Sequence, residues 1–321
     1  MRHGDRHPAI SVGIAAFKRP GVLARAVESV MAQSFSNWEL VVSDDEDPSG
    51  EVWSYLNRVA RTESRLRLIR NTRQHGQVAN RNSALSHARA PWIKILDHDD
   101  ELLPNCLDKF LSSVQGASSA VMACCTANFY CDGKLVTTQR RGQAAVELLR
   151  QRDAHMAMYL QETGPGHPSL TMVHRAVIAR GTLFENVPGL VSAVDSAWNT
   201  QVLRHGDLVL INSPLVNLHQ DEQTLTSTLA QEELDREYVV LRERQLPLID
   251  PSLRPPRLAT TLQMLWLIRA ANRLKRRRFR DALSLVKGAR DPRAWLLTVR
   301  WGLQVVFPGR FRRIRYVTLR Q

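Results

Sequence analysis

Four carboxylates and a histidine stand together in the stretch LDHDDELLP, residues 96–104, directly after the short apolar run WIKI. A carboxylate at the end of a buried strand loses solvation and repels its neighbours, so a cation, a metal or a bound ligand is expected to compensate it. The DxD spacing of Asp97 and Asp99 suits Mg²⁺ or Mn²⁺, which prefer oxygen ligands and share their remaining positions with substrate phosphates. The alternative is an acidic loop that caps a helix beginning near Pro104.

Strand and helix patterns alternate from residue 9 onward and would position these acids. The apolar runs AISVGIAAF, WELVVS, LRLIR and WIKIL predict strands, and helices are predicted over residues 20–34, 52–62 and 78–89. This alternation predicts right-handed crossovers and a parallel sheet, in which ligands bind beyond the carboxyl ends of the strands. The second strand ends at Asp44-Asp45 and the fourth at Asp97, so both acidic groups are expected at one edge of the sheet.

The alternation weakens after residue 118. FYCDGKLVT predicts a hairpin with an Asp-Gly turn, and LVLINSPL a strand. The remaining predicted elements are a helix over residues 144–159, a Gly/Pro-rich loop ETGPGHPS, a strand over 170–173 and a helix over 195–205. The Pro-rich segment LPLIDPSLRPP marks a boundary near residues 246–256.

Charge is divided unevenly along the 321 residues, whose formal net charge is +13. Residues 251–321 hold 18 Lys/Arg and two Asp/Glu, whereas the first 250 residues hold 26 Lys/Arg and 29 Asp/Glu. The positive charge is therefore concentrated in a C-terminal segment, which is expected to have a different role from the rest of the chain. A nucleic-acid-binding protein that acts through this tail is one rival interpretation, although no nucleic-acid module is recognisable and the rest of the chain is net acidic.

The sequence also indicates a cellular location and disfavours several other enzyme classes. It shows no run of about 18 apolar residues and no signal-peptide pattern, so a cytoplasmic protein is expected. The four cysteines have no paired spacing and are expected to be buried, reduced thiols. No glycine-rich loop follows the first strand, which disfavours dinucleotide dehydrogenases, P-loop NTPases and the second rival, a nucleotidyltransferase.

The segments ISVGIAAFKRPGVLARAVESVMAQSFSNWELVVSDD, HGQVANRNSALSHARAPWIKILDHDDELLP, VDSAWNTQVLRHG and LHQDEQTLT, in this order, resemble the family 2 glycosyltransferases. The resemblance covers residues 9–225 and implies the GT-A fold, a Rossmann-like α/β fold with a mostly parallel central sheet. Residues 1–225 would form this domain, and residues 226–321 a basic, helical C-terminal extension.

The resemblance implies a metal-dependent, inverting transfer from a nucleotide sugar, with a UDP-sugar as the first choice and a dTDP-sugar as the next. Asp45 would bind the pyrimidine edge, because a carboxylate accepts the ring N–H of uracil and rejects cytosine, which lacks that donor. Ala15 would let backbone approach the base, Arg81 would face the nucleotide and its phosphates, and Asp97 would hold the ribose hydroxyls.

The metal, Mn²⁺ or Mg²⁺, would be held by Asp99 and by His219, and Asp100 and His98 would either support these ligands or act as ligands themselves. Asp195 matches the catalytic base, which in an inverting transfer deprotonates the acceptor hydroxyl. Each residue also has an ordinary structural alternative, such as a helix cap for Asp195. His167 and Asp221 are further candidates, either for contact with the acceptor or for contacts within the protein's loops.

Three features of the sequence depart from the pattern of the family 2 glycosyltransferases. The usual Pro-Thr-Tyr-Asn after the first strand is replaced by the four residues 15–18, the Glu that often precedes the base is Val194, and His98 interrupts the acidic motif. None removes a required charge. An altered donor choice or a degenerate enzyme are the alternatives that these departures leave open.

The C-terminal segment carries an apolar stripe at helical spacing, formed by Trp295, Val299, Leu303 and Val306, between RLKRRRFR and RFRRIR. A Trp-bearing stripe between Arg clusters is typical of an interfacial helix on anionic lipid. This would place the enzyme at the inner face of the cytoplasmic membrane, beside a lipid-linked or cell-surface glycan acceptor. The alternative is that the stripe packs on the catalytic domain or on a second subunit.

Overall fold

The computed structural model is an α/β protein built on one sheet of eleven strands. It describes residues 7–45, 49–72, 75–142, 144–220, 231–275, 279–306, 314 and 316–319. Two hydrophobic clusters cover the sheet. Alternate residues of a strand enter different clusters, as Leu96 and Ile95 do, so the clusters lie on opposite faces.

The N-terminal half follows the predicted alternation. Its elements are β1 (Ile10–Ala16), α1 (Pro20–Met31), β2 (Trp38–Asp44), α2 (Glu51–Ala60), β3 (Leu66–Arg70), α3 (Gln77–Ser86) and β4 (Trp92–Asp97). These strands lie in the order β3-β2-β1-β4 and all pair in parallel. Ala15 pairs with Asp97 and Ala16 with Asp44, so the two acidic groups meet at one sheet edge as predicted.

The second half makes the sheet mixed. Its elements are β5 (Glu101–Leu102), α4 (Cys106–Gln115), β6 (Ala120–Cys131), β7 (Lys134–Thr138), β8 (Val146–Leu149), α5 (Gln151–Tyr159), β9 (Thr171–His174), α6 (Arg175–Ala179), α7 (Val194–Val202) and β10 (Asp207–Gln220). β9 lies antiparallel between β4 and β6, whereas β10 runs parallel to β6 and antiparallel to β8. The parallel arrangement therefore holds for the first four strands and not across the whole sheet.

One detail of the sequence prediction needs correction, and another is confirmed. The predicted helix over residues 144–159 begins instead as strand β8, because Val146–Leu149 pairs with β10 and all four of its residues are buried. The buried face of α1 is formed by Leu23, Ala26, Val27 and Val30. The Asp-Gly turn is confirmed: Asp132 and Gly133 both have positive φ, as a type I′ hairpin requires.

The C-terminal region is helical and is attached to the rest of the fold. It contains α8 (Gln231–Gln245), α9 (Leu258–Lys275), α10 (Phe279–Gly288), α11 (Pro292–Val306) and the short strand β11 (Val317–Thr318). α9, α10 and α11 share a small apolar cluster, α8 packs against α7, and β11 pairs with β8 at the edge of the sheet. No helix among the described residues is long and apolar enough to cross a membrane.

None of the four cysteines, all of which lie in the described part of the chain, forms a disulfide bond. Cys106, Cys124 and Cys125 are buried as predicted, whereas Cys131 is exposed beside the hairpin turn.

Candidate active site

A cavity of about 1870 Å³ lies at the carboxyl ends of the parallel strands. Its wall includes every side chain that the sequence predicted for the site: Ala15, Asp45, Arg81, Asp97, Asp99, Asp195 and His219. His98, Asp100 and His167 line it as well. Asp221 lies outside the described residues. The fold thus brings residues from distant parts of the chain to one concave surface.

Arg81 joins the two carboxylates that were assigned to different substrates. Its Nε and Nη2 donate to Asp97 Oδ1 at 3.2 and 2.8 Å, and Nη2 also donates to Asp97 Oδ2 at 3.0 Å. Its Nη1 donates to Asp195 Oδ1 at 2.7 Å. Arg81 is 6% exposed, because α3 packs it beneath the cavity. All three guanidinium nitrogens therefore donate to carboxylates, which fixes Asp97 and Asp195 relative to each other.

The surroundings separate the pKa values of these two carboxyls. Burial raises the pKa of Asp97, but the Arg81 guanidinium opposes it and the net pKa lies below the ordinary value. Burial also raises the pKa of Asp195, and there the raising effect of burial and of Asp97 outweighs the lowering effect of Arg81. The two carboxylates in turn raise the pKa of Arg81 despite its burial. Asp195 is therefore the more basic carboxylate, as a proton acceptor should be.

Asp45 occupies the opposite corner of the cavity, at the end of β2. Its Oδ2 accepts from the backbone N–H of Gly76 at 2.7 Å, and its Oδ1 accepts from Asn71 Nδ2 at 2.9 Å. His75 Nδ1 lies 3.4 Å from Oδ1. These contacts hold the carboxylate at the start of α3, and its remaining lone pairs are available to a ligand.

Asp100 connects the acidic loop to a turn from the other half of the chain. Its Oδ2 accepts from Ser169 Oγ at 2.5 Å, and its Oδ1 accepts from the backbone N–H of His219 at 3.1 Å. Ser169 Oγ also accepts from the backbone N–H of Asp97 at 2.9 Å. Burial raises the pKa of Asp100 to about 7, while His167 lowers it and Asp99 adds to the rise.

One group of side chains has the donors for a divalent cation. One ligand atom from each of Asp97, Asp100 and His167 lies within 4.8 Å of the others. Carboxylate oxygens with one imidazole nitrogen fit Mn²⁺ or Mg²⁺, and the open cavity leaves room for phosphate oxygens. Asp99 and His219 line the same cavity but are outside this group; the His219 Nε2 forms no hydrogen bond to the described residues and lies 3.5 Å from Glu101 Oε1. The metal assignment of Asp99 and His219 stays a prediction.

A fully buried lysine supports the floor of the site. Lys94 Nζ donates to the backbone oxygens of Ile95 at 2.7 Å and Ser169 at 2.5 Å. Burial lowers the pKa of Lys94. The amine thus holds the turn that carries Ser169 against β4, the strand that ends at Asp97.

The helix that carries Asp195 is anchored by a residue of the C-terminal region. Glu237 of α8, 3% exposed, accepts from the backbone N–H groups of Val191, Ser192 and Ala193 at 2.8–3.1 Å. These N–H groups immediately precede α7. The Glu237 carboxylate satisfies these backbone amides, and its negative charge complements the dipole of α7 at the N-terminus of the helix. Asp195, the second residue of α7, is therefore positioned partly by α8.

The turn after β1 is strained. Lys18 and Arg19 have φ of 54° and 52°, in the left-handed region that residues other than glycine rarely adopt, and both line the cavity. This turn replaces the family's usual Pro-Thr-Tyr-Asn, so the departure noted in the sequence lies at the cavity wall.

Several residues of the site escaped sequence reasoning. Ser169, Lys94 and Glu237 act through contacts between residues 44 to 75 positions apart, which no local pattern encodes. His167 was named without a defined role; its position in the loop ETGPGHPS, just before β9, was the available signal.

Comparison with known proteins agrees with this geometry. Residues 11–181 match the family described as "Glycosyl transferase family 2", which is more than half of the chain. The chain belongs to glycosyl transferase family 2. The matched range contains the parallel strands, Asp45, Arg81 and the acidic loop, and it ends before Asp195.

Curated relatives of this family 2 chain match over short segments. The putative colanic acid biosynthesis glycosyl transferase WcaA of Escherichia coli is 35% identical over 111 residues, 34% of this chain and 39% of the relative. The GalNAc(5)-diNAcBac-PP-undecaprenol beta-1,3-glucosyltransferase of Campylobacter jejuni is 29% identical over 119 residues, 37% and 38% of the two chains. The chain thus spans well under half the length of these relatives.

Solved structures share the fold over most of the chain. S. aureus TarS 1-349 in complex with UDP-GlcNAc superposes with a TM-score of 0.61 at 15% identity, covering 91% of this chain and 84% of that one. The mannosyltransferase PcManGT from Pyrobaculum calidifontis, in complex with GDP-Man and Mn²⁺, has a TM-score of 0.53 at 17% identity, covering 94% and 81%. The predicted GT-A fold with a helical C-terminal region is confirmed.

Proposed function

We propose that this protein transfers a sugar, with inversion, from a nucleoside diphosphate sugar to a hydroxyl group of a glycan or lipid-linked acceptor. One observation carries the proposal: Arg81 bonds to both Asp97, assigned to the donor, and Asp195, assigned as the base, inside a single cavity. A transfer needs donor and base in a fixed relation, because reacting groups must be held close and aligned. Membership of glycosyl transferase family 2 supports the reaction type.

A UDP-sugar is the proposed donor. Asp45 is held in place by Gly76 and Asn71 with lone pairs left for the ring N–H of uracil, a donor that cytosine lacks. The cavity of about 1870 Å³ exceeds the 300–1,000 Å³ typical of a pocket for one small ligand, so donor and acceptor can share it. The fold relative TarS was solved with UDP-GlcNAc, which agrees with this donor class.

A divalent cation is proposed between the acidic loop and the donor diphosphate. Asp97, Asp99 and Asp100 with His167 and His219 supply the candidate ligands, all at the cavity wall. When bound, Mn²⁺ or Mg²⁺ would neutralise charge on the leaving diphosphate. The fold relative PcManGT was solved with Mn²⁺, which supports a metal at this class of site.

Asp195 is the proposed base. It stands at the start of α7, faces the cavity, and its pKa is raised mainly by burial. A more basic carboxylate accepts the proton of an acceptor hydroxyl more readily, and general-base assistance is typically worth about 10²–10⁴ in rate.

The acceptor is proposed to be a lipid-linked glycan at an anionic membrane surface in cell-surface polysaccharide synthesis. Relatives are named for colanic acid biosynthesis and for transfer to an undecaprenol-linked glycan. The predicted stripe is exposed on α11: Trp295, Val299, Leu303 and Val306 are 43%, 57%, 37% and 67% exposed. Each side chain of this stripe thus leaves more than a third of its surface uncovered by the described residues of the same chain, which favours a lipid surface. Most of the flanking Arg-rich segments lies outside the described residues.

Calorimetric titration of UDP, with and without Mn²⁺, tests the donor site. Asp99→Ala is expected to abolish Mn²⁺-dependent binding, because a ligand of the bridging cation is lost. Asp45→Ala is expected to weaken binding by roughly 1.5–3 kcal/mol, the usual worth of a hydrogen bond to a charged group, while metal dependence remains. Unchanged affinity in both variants would contradict the donor site.

Flotation with lipid vesicles tests the membrane proposal. Wild-type protein should float with anionic vesicles and not with neutral ones, and salt should weaken binding because exposed charges are screened. Replacing Trp295 and Val299 by Ser should reduce flotation. Equal flotation of this variant and the wild type would refute α11 as the contact surface.

A further inference from the structure

The cavity extends well past the acidic site, to a wall built by the C-terminal helices. Tyr238, Arg242 and Gln245 of α8 and Trp301 and Gln304 of α11 line this part. It adjoins α7, the helix that carries Asp195, because α8 packs against α7 and Ser196 and Asn199 of α7 also line the cavity. A sugar donor bound between Asp45 and Asp97 would leave this part of the cavity open to the second substrate, the acceptor.

Arg242 is the only cation-bearing side chain that α8 contributes to the described cavity wall, and it is 2% exposed. Its Nη1 donates to Gln245 Oε1 at 2.8 Å, whereas its Nε has no hydrogen-bond partner within the described part of the chain. No described carboxylate forms an ion pair with it, and burial lowers its pKa to about 10. A buried charge without a counter-charge is costly, so an anion is expected to complete it.

Other buried polar atoms of the same cavity also lack partners among the described residues. They are Gln304 Oε1 on α11 and, elsewhere in the lining of the same cavity, Gln139 Oε1 and Thr163 Oγ1. Buried polar groups in folded proteins are nearly always hydrogen-bonded, to protein, water or ligand. Their concentration around one cavity indicates a polar ligand here rather than an apolar chain.

Arg242 is linked to the helix of the proposed base. Gln245, its partner, donates through Nε2 to Thr200 Oγ1 at 3.3 Å. Thr200 follows Asp195 by five residues in α7, about 7.5 Å along the axis at 1.5 Å per residue. Arg242 therefore lies near the helix that carries the proposed base, within the span of an oligosaccharide bound at Asp195.

We propose that Arg242 binds an anionic group, a carboxylate or a phosphate, on the acceptor of the transfer reaction. The inference rests on the proposed function, since it names a chemical feature of the second substrate. The Nε and Nη2 edge of the guanidinium is the edge that Gln245 leaves open, and it matches two oxygens of such an anion.

Three small probes test the proposal on the full chain: glycerol 1-phosphate, glycerate and glycerol. The protein is first saturated with UDP and Mg²⁺, so that phosphate cannot occupy the donor site, and each probe is then titrated by ligand-observed NMR. At least one anionic probe should bind the wild type about tenfold or more tightly than glycerol. Comparing the affinities for glycerol 1-phosphate and glycerate shows whether the site prefers a phosphate or a carboxylate. Equal affinity for all three probes overturns the proposal.

Two matched variants assign the effect to Arg242. Arg242→Gln should remove the preference for the anionic probe, whereas Arg244→Gln, an exposed arginine of the same helix outside this cavity, should keep it. A preference that survives in Arg242→Gln overturns the proposal. If that variant does not fold, Arg242→Lys keeps the charge without the fork and should weaken the preference, and the wild-type ratio remains decisive. Absent UDP binding at the saturation step would instead signal failure of the proposed function.

Discussion

Replacing Arg81 by Met should destabilise the protein, because the guanidinium neutralises two buried carboxylates at once. The side chains of Arg81, Asp97 and Asp195 are 6%, 13% and 21% exposed, so solvent screens them little. Removing one partner of a buried ion pair costs about 3–5 kcal/mol. With an unfolding entropy of about 2.1 cal/mol/K per residue over 321 residues, this loss corresponds to a fall in Tm of about 4–7 °C.

The pH dependence of this loss has a definite sign. Arg81 lowers the pKa of Asp195, so its removal should raise that pKa further above the ordinary value. A carboxyl whose folded pKa is raised destabilises the protein above that pKa and has no such effect below its unfolded pKa. The Tm difference between Arg81→Met and the wild type should therefore be largest near neutral pH and shrink as the pH falls towards 4.

Thermal unfolding of the wild type, Arg81→Met and Arg81→Lys across this pH range is the assay. Arg81→Lys keeps the charge but not the fork that contacts both carboxylates, so its Tm should lie between the other two. An unchanged Tm in Arg81→Met, or a deficit that does not vary with pH, would refute the assigned role of the ion-paired cluster.

Three further outcomes follow from the site. Asp195→Asn should lower the transfer rate by about 10² or more with UDP affinity nearly unchanged, measured by turnover and by titration. In the wild type, turnover should fall as the pH drops through the raised pKa of Asp195, because a protonated carboxyl cannot accept the acceptor proton; a pH–rate profile without an acidic limb would speak against this base. Glu237→Ala should lower kcat and leave UDP affinity intact, since it frees the backbone before α7, and Glu237→Gln should recover part of the rate.

The sequence predicted those site residues whose positions follow from local sequence patterns. Asp45 and Asp97 directly follow apolar strands, and parallel pairing places their ends at one edge, so their proximity follows from the alternation of strands and helices. The roles of Arg81 and Asp195 were implied by the family resemblance. Their direct bond was not anticipated, because it joins residues 114 positions apart.

The unpredicted features depend on tertiary contacts. β8 was mistaken for a helix because its four residues carry no strong strand signal, and pairing with β10 decides their conformation. Glu237 and Arg242 stand on α8, a helix in which nothing in the spacing of charges distinguishes a residue that caps α7 or faces a cavity from a solvated one. Only the packing of α8 against α7 gives these two side chains their surroundings.

A donor screen tests the central claim most directly. Wild-type protein and Asp195→Asn are incubated with a panel of nucleotide sugars and Mn²⁺ or Mg²⁺, with EDTA as the control, and release of the nucleoside diphosphate is measured. The account predicts turnover of a UDP-sugar that requires metal, stops with EDTA and is strongly reduced in Asp195→Asn. Metal-independent turnover, turnover that Asp195→Asn retains in full, or no turnover of any nucleotide sugar would contradict it.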